Sequence, residues 1–152
     1  MSSEKHIDAT VVSACLMGIC CRYDGGHRLD EKVLRLSMED ELVPLCPEQM
    51  GGLTTPRQAS EIIGGDGGDV LDGRARIVDS EGKDVTAQFI KGAMEGLAIA
   101  KRVGAKRAVM KEKSPSCGIH RIYRSGILVS GKGVLTALLL RDGIVVMSNE
   151  EI

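Results

Sequence analysis

Cysteine is the residue type most able to do chemistry in this chain. The sequence contains five cysteines, Cys15, Cys20, Cys21, Cys46 and Cys117. An odd number of cysteines, in a sequence that shows no apolar export segment at its start, argues against a disulfide framework and favours thiol chemistry or metal binding. Soft thiolates select zinc, copper(I) or iron–sulfur clusters. We therefore expect a thiol or metal–thiolate site.

Three of the cysteines come after predicted strands. Short β-branched and apolar runs predict buried strands at residues 9–14, 42–45 and 107–110. Cys15, Cys46 and Cys117 follow these strands in turn. Because ligands of parallel α/β sheets bind beyond the carboxyl ends of the strands, the three thiols are expected to converge at one edge of the sheet. Three protein ligands leave one coordination position of a metal open, as in catalytic sites.

The spacing of the thiols leaves several interpretations open. Zinc on three cysteines would expose one water, and a cubane cluster on three cysteines would expose its fourth iron as a Lewis acid. Alternatively, Cys15 and Cys46 are small buried residues at strand ends, or a thiol of this group takes part in metal-free redox exchange. Cys20 and Cys21 are adjacent and cannot easily bind one metal together, so we expect one functional thiol and one bystander, with Cys21 as a reserve ligand.

Candidate acid–base groups lie close to these cysteines in the sequence. Glu48 follows Cys46 by two residues, which puts a carboxylate beside anything that Cys46 binds and suits a general acid or base. Ser114 and Ser116 precede Cys117, where their hydroxyls either donate to a bound ligand or serve an ordinary Ser-Pro turn. The basic candidates for orienting a polar heterocycle, each of which could equally be surface charge, are Arg22, Arg57 and Lys111.

Helices are predicted between the strands. Asp30 is the expected cap of the first helix, and Gly104 and Gly143 are expected to end the later two. The helical segments are residues 31–40, an apolar stripe at residues 89–98 and a buried segment at residues 133–141. Further segments are a hairpin with arms at residues 74–78 and 83–85, a glycine-rich functional loop at residues 51–73, and a last strand at residues 144–147. Alternating strands and helices predict one α/β domain at residues 9–152, with a mainly parallel Rossmann-like sheet and helices on both of its faces. The glycine-rich loop is expected to be an insertion in this domain, and residues 1–8 are expected to form a polar tail.

The composition excludes several classes of function. The chain has 152 residues and a net charge of −1, so no electrostatic attraction to nucleic acid or to an anionic membrane is expected. Aromatic residues make up 2% of the chain, too few for a stacking platform for single-stranded nucleic acid. No apolar run is long enough to span a bilayer. We expect a cytoplasmic protein with a small-molecule partner, as a monomer or a homodimer.

Short motifs in a fixed order make the sequence specific to one family. They lie at residues 12–18, 21–25, 44–48, 51–57, 65–71, 84–86 and 111–118. Together they resemble a small bacterial family that includes the thiouracil desulfidases. The resemblance covers nearly the whole chain, from about residue 11 to residue 150.

The resemblance implies a cofactor and a reaction. It implies a 4Fe–4S cluster on Cys15, Cys46 and Cys117, with a fourth iron free to bind the thiocarbonyl sulfur of a substrate. Glu48 and Ser114 match the motifs of the catalytic residues. Cys20 departs from the pattern, since the usual cysteine of the family corresponds to Cys21. The implied activity is a non-redox, hydrolysis-like conversion of a thiolated nucleobase such as thiouracil into uracil and sulfide. The alternative is a cysteine-liganded metal or cluster protein for sulfur handling or sensing without turnover.

Overall fold

A four-stranded parallel sheet forms the centre of the molecule in the computed structural model, which describes residues 7–152. The spatial order of its strands is β2 (Glu41–Leu45), β1 (Ala9–Ser13), β5 (Arg107–Met110) and β8 (Val145–Ser148). Every pair of neighbours is parallel. The predicted tail at residues 1–8 lies mostly outside the described residues. The parallel sheet and the α/β class are confirmed.

Helices cover both faces of the sheet because successive strand residues point to opposite sides. Val11 and Ala108 belong to the larger core, together with apolar residues of the helices at Pro47–Met50 and Thr86–Arg102. Val12 and Val109 belong to a smaller core on the other face, which includes Val33. The helices are α1 (Glu31–Arg35), α2 (Pro47–Met50), α3 (Gly67–Leu71), α4 (Thr86–Arg102) and α5 (Val134–Arg141). Within the part of the chain that the structure describes, none of the helices combines the length and the apolar character that crossing a membrane requires.

The helix ends follow the predicted capping residues in part. Asp30 accepts a hydrogen bond from the amide of Lys32 and caps α1, as predicted. The α-helix ends at Arg35 and is followed by a 3₁₀ turn, Leu36–Met38, so the predicted helix to residue 40 was too long. Gly104 and Gly143 adopt positive φ angles of 67° and 81° just after α4 and α5, as predicted.

The buried face of α4 differs from the predicted stripe. Met94 is 61% exposed, whereas the buried positions include Gly92 and Gly96. The reason is a close helix contact, because a Cβ atom at Gly92 would lie 1.8 Å from the carbonyl oxygen of Pro47 in α2. Phe89 and Ala93 of the predicted stripe are buried, and α4 packs in addition through the glycines, which the apolar pattern does not include.

Two antiparallel hairpins lie outside the main sheet. The first pairs β3 (Ser60–Ile63) with β4 (Arg76–Asp79), and the second pairs β6 (Arg121–Arg124) with β7 (Ile127–Ser130). The predicted hairpin between residues 74–78 and 83–85 is present in short form: Val78 and Asp84 form an antiparallel bridge, and the amide of Val85 donates to the carbonyl of Ile77. The pairing of β4 with β3 on its other side was not predicted. The segment 51–73 is not only a loop, since it contains β3 and α3. The second hairpin was not predicted.

Candidate active site

One cavity opens at the carboxyl edge of the parallel sheet. It has a volume of about 680 Å³ and is lined by residues that follow β1, β2 and β5, together with parts of both hairpins. All nine residues named from the sequence lie in its wall, namely Cys15, Arg22, Cys46, Glu48, Arg57, Lys111, Ser114, Ser116 and Cys117. The structure therefore brings the candidate residues together in one place.

Two of the three cysteines directly follow their strands, and the third lies in a longer loop. Cys15 lies in the 3₁₀ turn that begins directly after β1, and Cys46 is the residue between β2 and α2. Cys117 lies further from its strand, in the loop that joins β5 to the second hairpin. This loop rests on the start of α5, where the amides of Val134 and Leu135 donate to the carbonyls of Pro115 and Ser116 at 2.9 Å.

The cavity contains a fourth thiol. Cys21 is 3% exposed and lines the cavity with Cys15 and Cys46, and its carbonyl oxygen accepts from the thiol of Cys46 at 3.6 Å. Interaction with the Cys21 thiol lowers the pKa of Cys15, and the same interaction raises the pKa of Cys21 to about 11. Interaction with Cys21 also raises the pKa of Cys46. Burial raises the pKa of Cys117 to about 12.

A chain of hydrogen bonds connects a carboxylate with two hydroxyl groups beside Cys117. Ser116 Oγ donates to Glu48 Oε2 at 3.0 Å, and Ser114 Oγ lies 3.0 Å from Ser116 Oγ. Ser116 Oγ also lies 3.6 Å from the sulfur of Cys117. Glu48 lies in the first turn of α2, which positions its side chain. The arrangement offers a path for a proton between a carboxylate and the sulfur-rich part of the cavity.

The guanidinium of Arg57 holds Glu48 from its other side. Its Nε donates to Glu48 Oε1 at 3.1 Å, and its Nη2 donates to the carbonyl of Cys21 at 2.8 Å. Its Nη1 donates to the carbonyl of Thr54 and to the hydroxyl of Thr55. Most of its donors are therefore engaged within the protein, so the side chain orients Glu48 and leaves little for a substrate.

Two further cations face the cavity with capacity to bind a ligand. Arg22 Nε is buried and has no hydrogen-bond partner among residues 7–152, and the nearest carboxylate oxygen, of Asp24, is 3.6 Å away. Lys111 Nζ donates to the carbonyl of Glu112 at 2.9 Å. Burial lowers the pKa of Lys111. Arg22 and Lys111 therefore place positive charge at the wall of the cavity.

Sequence reasoning missed Glu112. Its side chain is 1% exposed, and its Oε1 accepts hydrogen bonds from the amides of Ile119, His120 and Arg121 at 2.8 to 3.1 Å. These bonds close the loop that carries Ser114, Ser116 and Cys117. Glu112 lies between Lys111 and Lys113, a pattern typical of a solvated run of charges, so its burial is not predicted locally. The positive φ of Lys113, 74°, shows the sharp bend that turns the carboxylate inward.

Comparison with known proteins identifies the family. The sequence model described as 2-thiouracil desulfurase matches residues 10–151. The chain belongs to the 2-thiouracil desulfurase family. The resemblance inferred from the motifs is thereby confirmed.

Individual relatives are similar over nearly the full length. The chain is 48% identical over 145 residues to the uncharacterized protein YbbK of Bacillus subtilis (strain 168), covering 93% of this chain and 96% of YbbK. Among solved structures it is similar to the [4Fe-4S]-dependent thiouracil desulfidase TudS, with a TM-score of 0.84 and 38% identity, covering 95% of this chain and 93% of that one.

The thiols of the cavity are not arranged around one ion. Within residues 7–152, no group of three or more histidine, cysteine, aspartate or glutamate side chains is placed to hold a single metal ion. The zinc interpretation of the sequence therefore has no support in this arrangement. In a [4Fe–4S] cluster each thiolate binds a different iron, which does not require the sulfur atoms to meet at one point.

Proposed function

We propose that this family member removes sulfur from a thiolated uracil and replaces it with oxygen. The observation that carries the proposal is that a thiol-lined cavity also contains the Glu48–Ser116–Ser114 chain, so that sulfur-binding and proton-moving groups share one space. Membership of the family and the similarity to TudS support the same substrate class.

We infer that the chain holds a 4Fe–4S cluster on Cys15, Cys46 and Cys117. The donor set fits, because buried thiols from three strand ends face one cavity and soft thiolates are the usual ligands of such clusters. When bound, the cluster supplies an iron that binds sulfur and polarises the C=S bond as a Lewis acid, without electron transfer.

Glu48 is the proposed general base. Its carboxylate takes a proton from water, whose oxygen forms a bond with the ring carbon, and Arg57 keeps the carboxylate in position. The C–S bond then breaks, and its electron pair leaves with sulfur as hydrosulfide. Ser116 and Ser114 pass protons between Glu48 and the departing sulfur, with Ser116 in direct contact with the carboxylate. The sum is C=S plus water giving C=O plus hydrogen sulfide.

Arg22 and Lys111 are the proposed substrate-binding residues. The guanidinium of Arg22 would donate to a carbonyl oxygen or ring nitrogen of the base, and Lys111 lies on the same cavity wall. The proposed substrate is a free base rather than a nucleic acid polymer. The cytoplasmic location and the monomeric or homodimeric state stay predictions from the sequence.

Turnover of 2-thiouracil by anaerobically reconstituted protein tests the proposal. Wild type should form a brown protein containing iron and acid-labile sulfide, and should release uracil and sulfide in equal amounts. Glu48→Gln should retain the cluster and lose about 10²–10⁴-fold in kcat, the usual contribution of a general base. Glu95→Gln, on the exposed side of α4, is the matched control and should behave as wild type.

Two outcomes would contradict the proposal. Full activity of Glu48→Gln would exclude Glu48 as the base. A loaded cluster with no release of uracil from several thiolated pyrimidines would favour sulfur handling or sensing instead of turnover.

A further inference from the structure

Helix α5 begins after a glycine instead of a capping polar residue. Its N-cap is Gly133, which has no side chain that could accept from the first amides of the helix. The first four amides of an α-helix have no acceptor within the helix and need one from elsewhere. The carbonyls of the loop that contains Ser114, Ser116 and Cys117 supply it, so the start of α5 and the candidate active site depend on each other.

Every carbonyl of residues 115–118 accepts a hydrogen bond from the start of α5. The donors are the amides of Gly133, Val134 and Leu135, at 2.8 to 2.9 Å, and the hydroxyl of Thr136. Thr136 is fully buried, and its Oγ1 donates to the carbonyl of Cys117 at 2.8 Å. Because this bond is made by a side chain, a substitution can remove it while the backbone of the helix stays the same.

The two backbones meet at Gly133 without space for a side chain. A Cβ atom at Gly133 would lie 2.4 Å from the carbonyl carbon of Ser116 and 2.6 Å from the amide nitrogen of Cys117. The amides of Ser116 and Cys117 donate to Ser114 Oγ at 3.2 and 3.1 Å. The loop is therefore fixed through its carbonyls by α5 and through its amides by Ser114.

The loop in turn decides where the hydroxyl of Ser116 and the thiol of Cys117 lie. Ser116 Oγ contacts Glu48 Oε2 and Ser114 Oγ, both at 3.0 Å. It also lies 3.6 Å from Cys117 Sγ. Hydrogen bonds weaken steeply when their geometry is lost, and a misplacement of about 1 Å can cost about 10²-fold in rate. A shift of residues 114–118 would therefore separate the groups that the proposed proton path joins.

We propose, on the basis of the proposed function, that Thr136 is a positioning residue of the desulfuration reaction. Its hydroxyl holds the carbonyl of Cys117, and through that peptide group it holds the Cys117 thiol and the Ser116 hydroxyl where proton transfer with Glu48 requires them. Thr136 does not belong to the cavity wall, so it acts through the loop and not on the substrate.

Thr136→Val tests the proposal, because valine keeps the β-branched shape of threonine and lacks the hydroxyl. With rates expressed per assembled cluster, kcat for 2-thiouracil should fall about ten- to a hundred-fold. KM should change little, because the loss concerns the transition state and not the binding of substrate. Thr136→Ser restores a hydroxyl at the same position and should recover most of the lost kcat.

Thr10→Val is the matched control for a loss of stability alone. Thr10 is also fully buried, and its hydroxyl donates to Asp40 Oδ2 at 2.6 Å, but it lies in β1 away from the cavity wall. Both valine variants should lower the urea midpoint of unfolding, whereas Thr10→Val should keep the kcat of wild type. A kcat that falls with the unfolding midpoint to the same extent in both variants would overturn the proposal.

Hydrogen exchange of the cluster-free chain provides a readout that does not depend on activity. In Thr136→Val, the amides of residues 114–118 should exchange several-fold faster than in wild type, whereas Thr136→Ser and Thr10→Val should match wild type in this segment. If Thr136→Val does not fold, the same comparison is made between Thr136→Ala and Thr136→Ser, which differ in the hydroxyl alone.

Two results would overturn the assignment of Thr136. One is unchanged exchange in residues 114–118 when the hydroxyl is removed, and the other is a kcat of Thr136→Ser as low as that of Thr136→Val. A wild type that assembles a cluster but does not convert 2-thiouracil would instead overturn the proposed function, and the exchange rates would then still decide whether Thr136 holds the loop.

Discussion

Replacing Glu112 is expected to destabilise the whole chain, although the residue lies in a loop. Glu112→Ala removes the acceptor of the buried amide of Ile119 and of the partly buried amides of Lys113, His120 and Arg121. A buried N–H left without an acceptor costs about 1–3 kcal/mol, so the amide of Ile119 alone gives a loss of that size in the free energy of unfolding, and the partly buried amides add to it. Glu112→Gln keeps an oxygen acceptor and loses only the charge, so a loss of about 1 kcal/mol is expected.

The stabilising effect of the Glu112 charge should also depend on pH. Burial alone would raise the pKa of Glu112, but hydrogen bonds from the backbone amides of Ile119, Arg121 and His120 together outweigh burial and hold the pKa below its ordinary value of 4.5. Because the folded-state pKa is depressed, the stabilisation is present above pH 4.5 and is lost as the pH falls through the folded-state pKa. Wild type and Glu112→Gln should therefore converge in stability at low pH.

Urea unfolding of the cluster-free chain measures both effects. The midpoint should fall in the order wild type, Glu112→Gln, Glu112→Ala with little change in slope. The matched control is Glu95→Ala, an exposed position of α4 where a change within about 0.5 kcal/mol is expected. A loss below about 1 kcal/mol for Glu112→Ala would refute the reasoning, because one unsatisfied amide alone should cost that much.

Two further predictions concern the framework of the site. Gly92→Ala places a Cβ 1.8 Å from the carbonyl oxygen of Pro47, so it should displace α2. We expect a loss of about 1–3 kcal/mol in the free energy of unfolding, measured in urea, and a lower rate of 2-thiouracil turnover. Unchanged turnover would show that α2 is not held by this contact. Side-chain hydrogen bonds from Thr10 and Arg107 lower the pKa of Asp40, so the stability that wild type has over Asp40→Asn should be present above pH 3.8 and vanish as the pH falls through the depressed pKa. Urea midpoints measured over the acidic range check this, and a difference that persists at the lowest pH would contradict it.

The parts of the fold that the sequence predicts are those with strong local signals. The strands β1 and β5 are continuous apolar runs, Asp30 caps α1, and Gly104 ends α4, and each of these appears in the structure. The pairing of β3 with β4 and of β6 with β7 was not predicted, because these strands are short and carry exposed polar residues, as in β6, where Ile122 is the one buried position. Their pairing depends on contacts between distant segments, which local periodicity does not report.

In the candidate site too, features with a local signal in the sequence could be predicted, whereas contacts between distant segments could not. The convergence of Cys15, Cys46 and Cys117 could be predicted because parallel strands present their carboxyl ends on one side. The burial of Glu112 and of Cys21 could not be predicted, because both depend on how loops fold back onto the strands. The contact between Arg57 and Glu48 is of the same kind, since it requires the turn that brings residues 54–57 over α2.

The order of the strands has a consequence for how the protein matures in the cell. β1, the first strand to be synthesised, lies between β2 and β5, so the edge of the sheet that carries Cys15 is incomplete until β5 and the loop containing Cys117 have left the ribosome. Pairing between such distant strands is a late step for a growing chain. A cofactor bridging these strands must therefore be delivered after translation of almost the entire polypeptide, to a nearly finished apoprotein rather than to a nascent one.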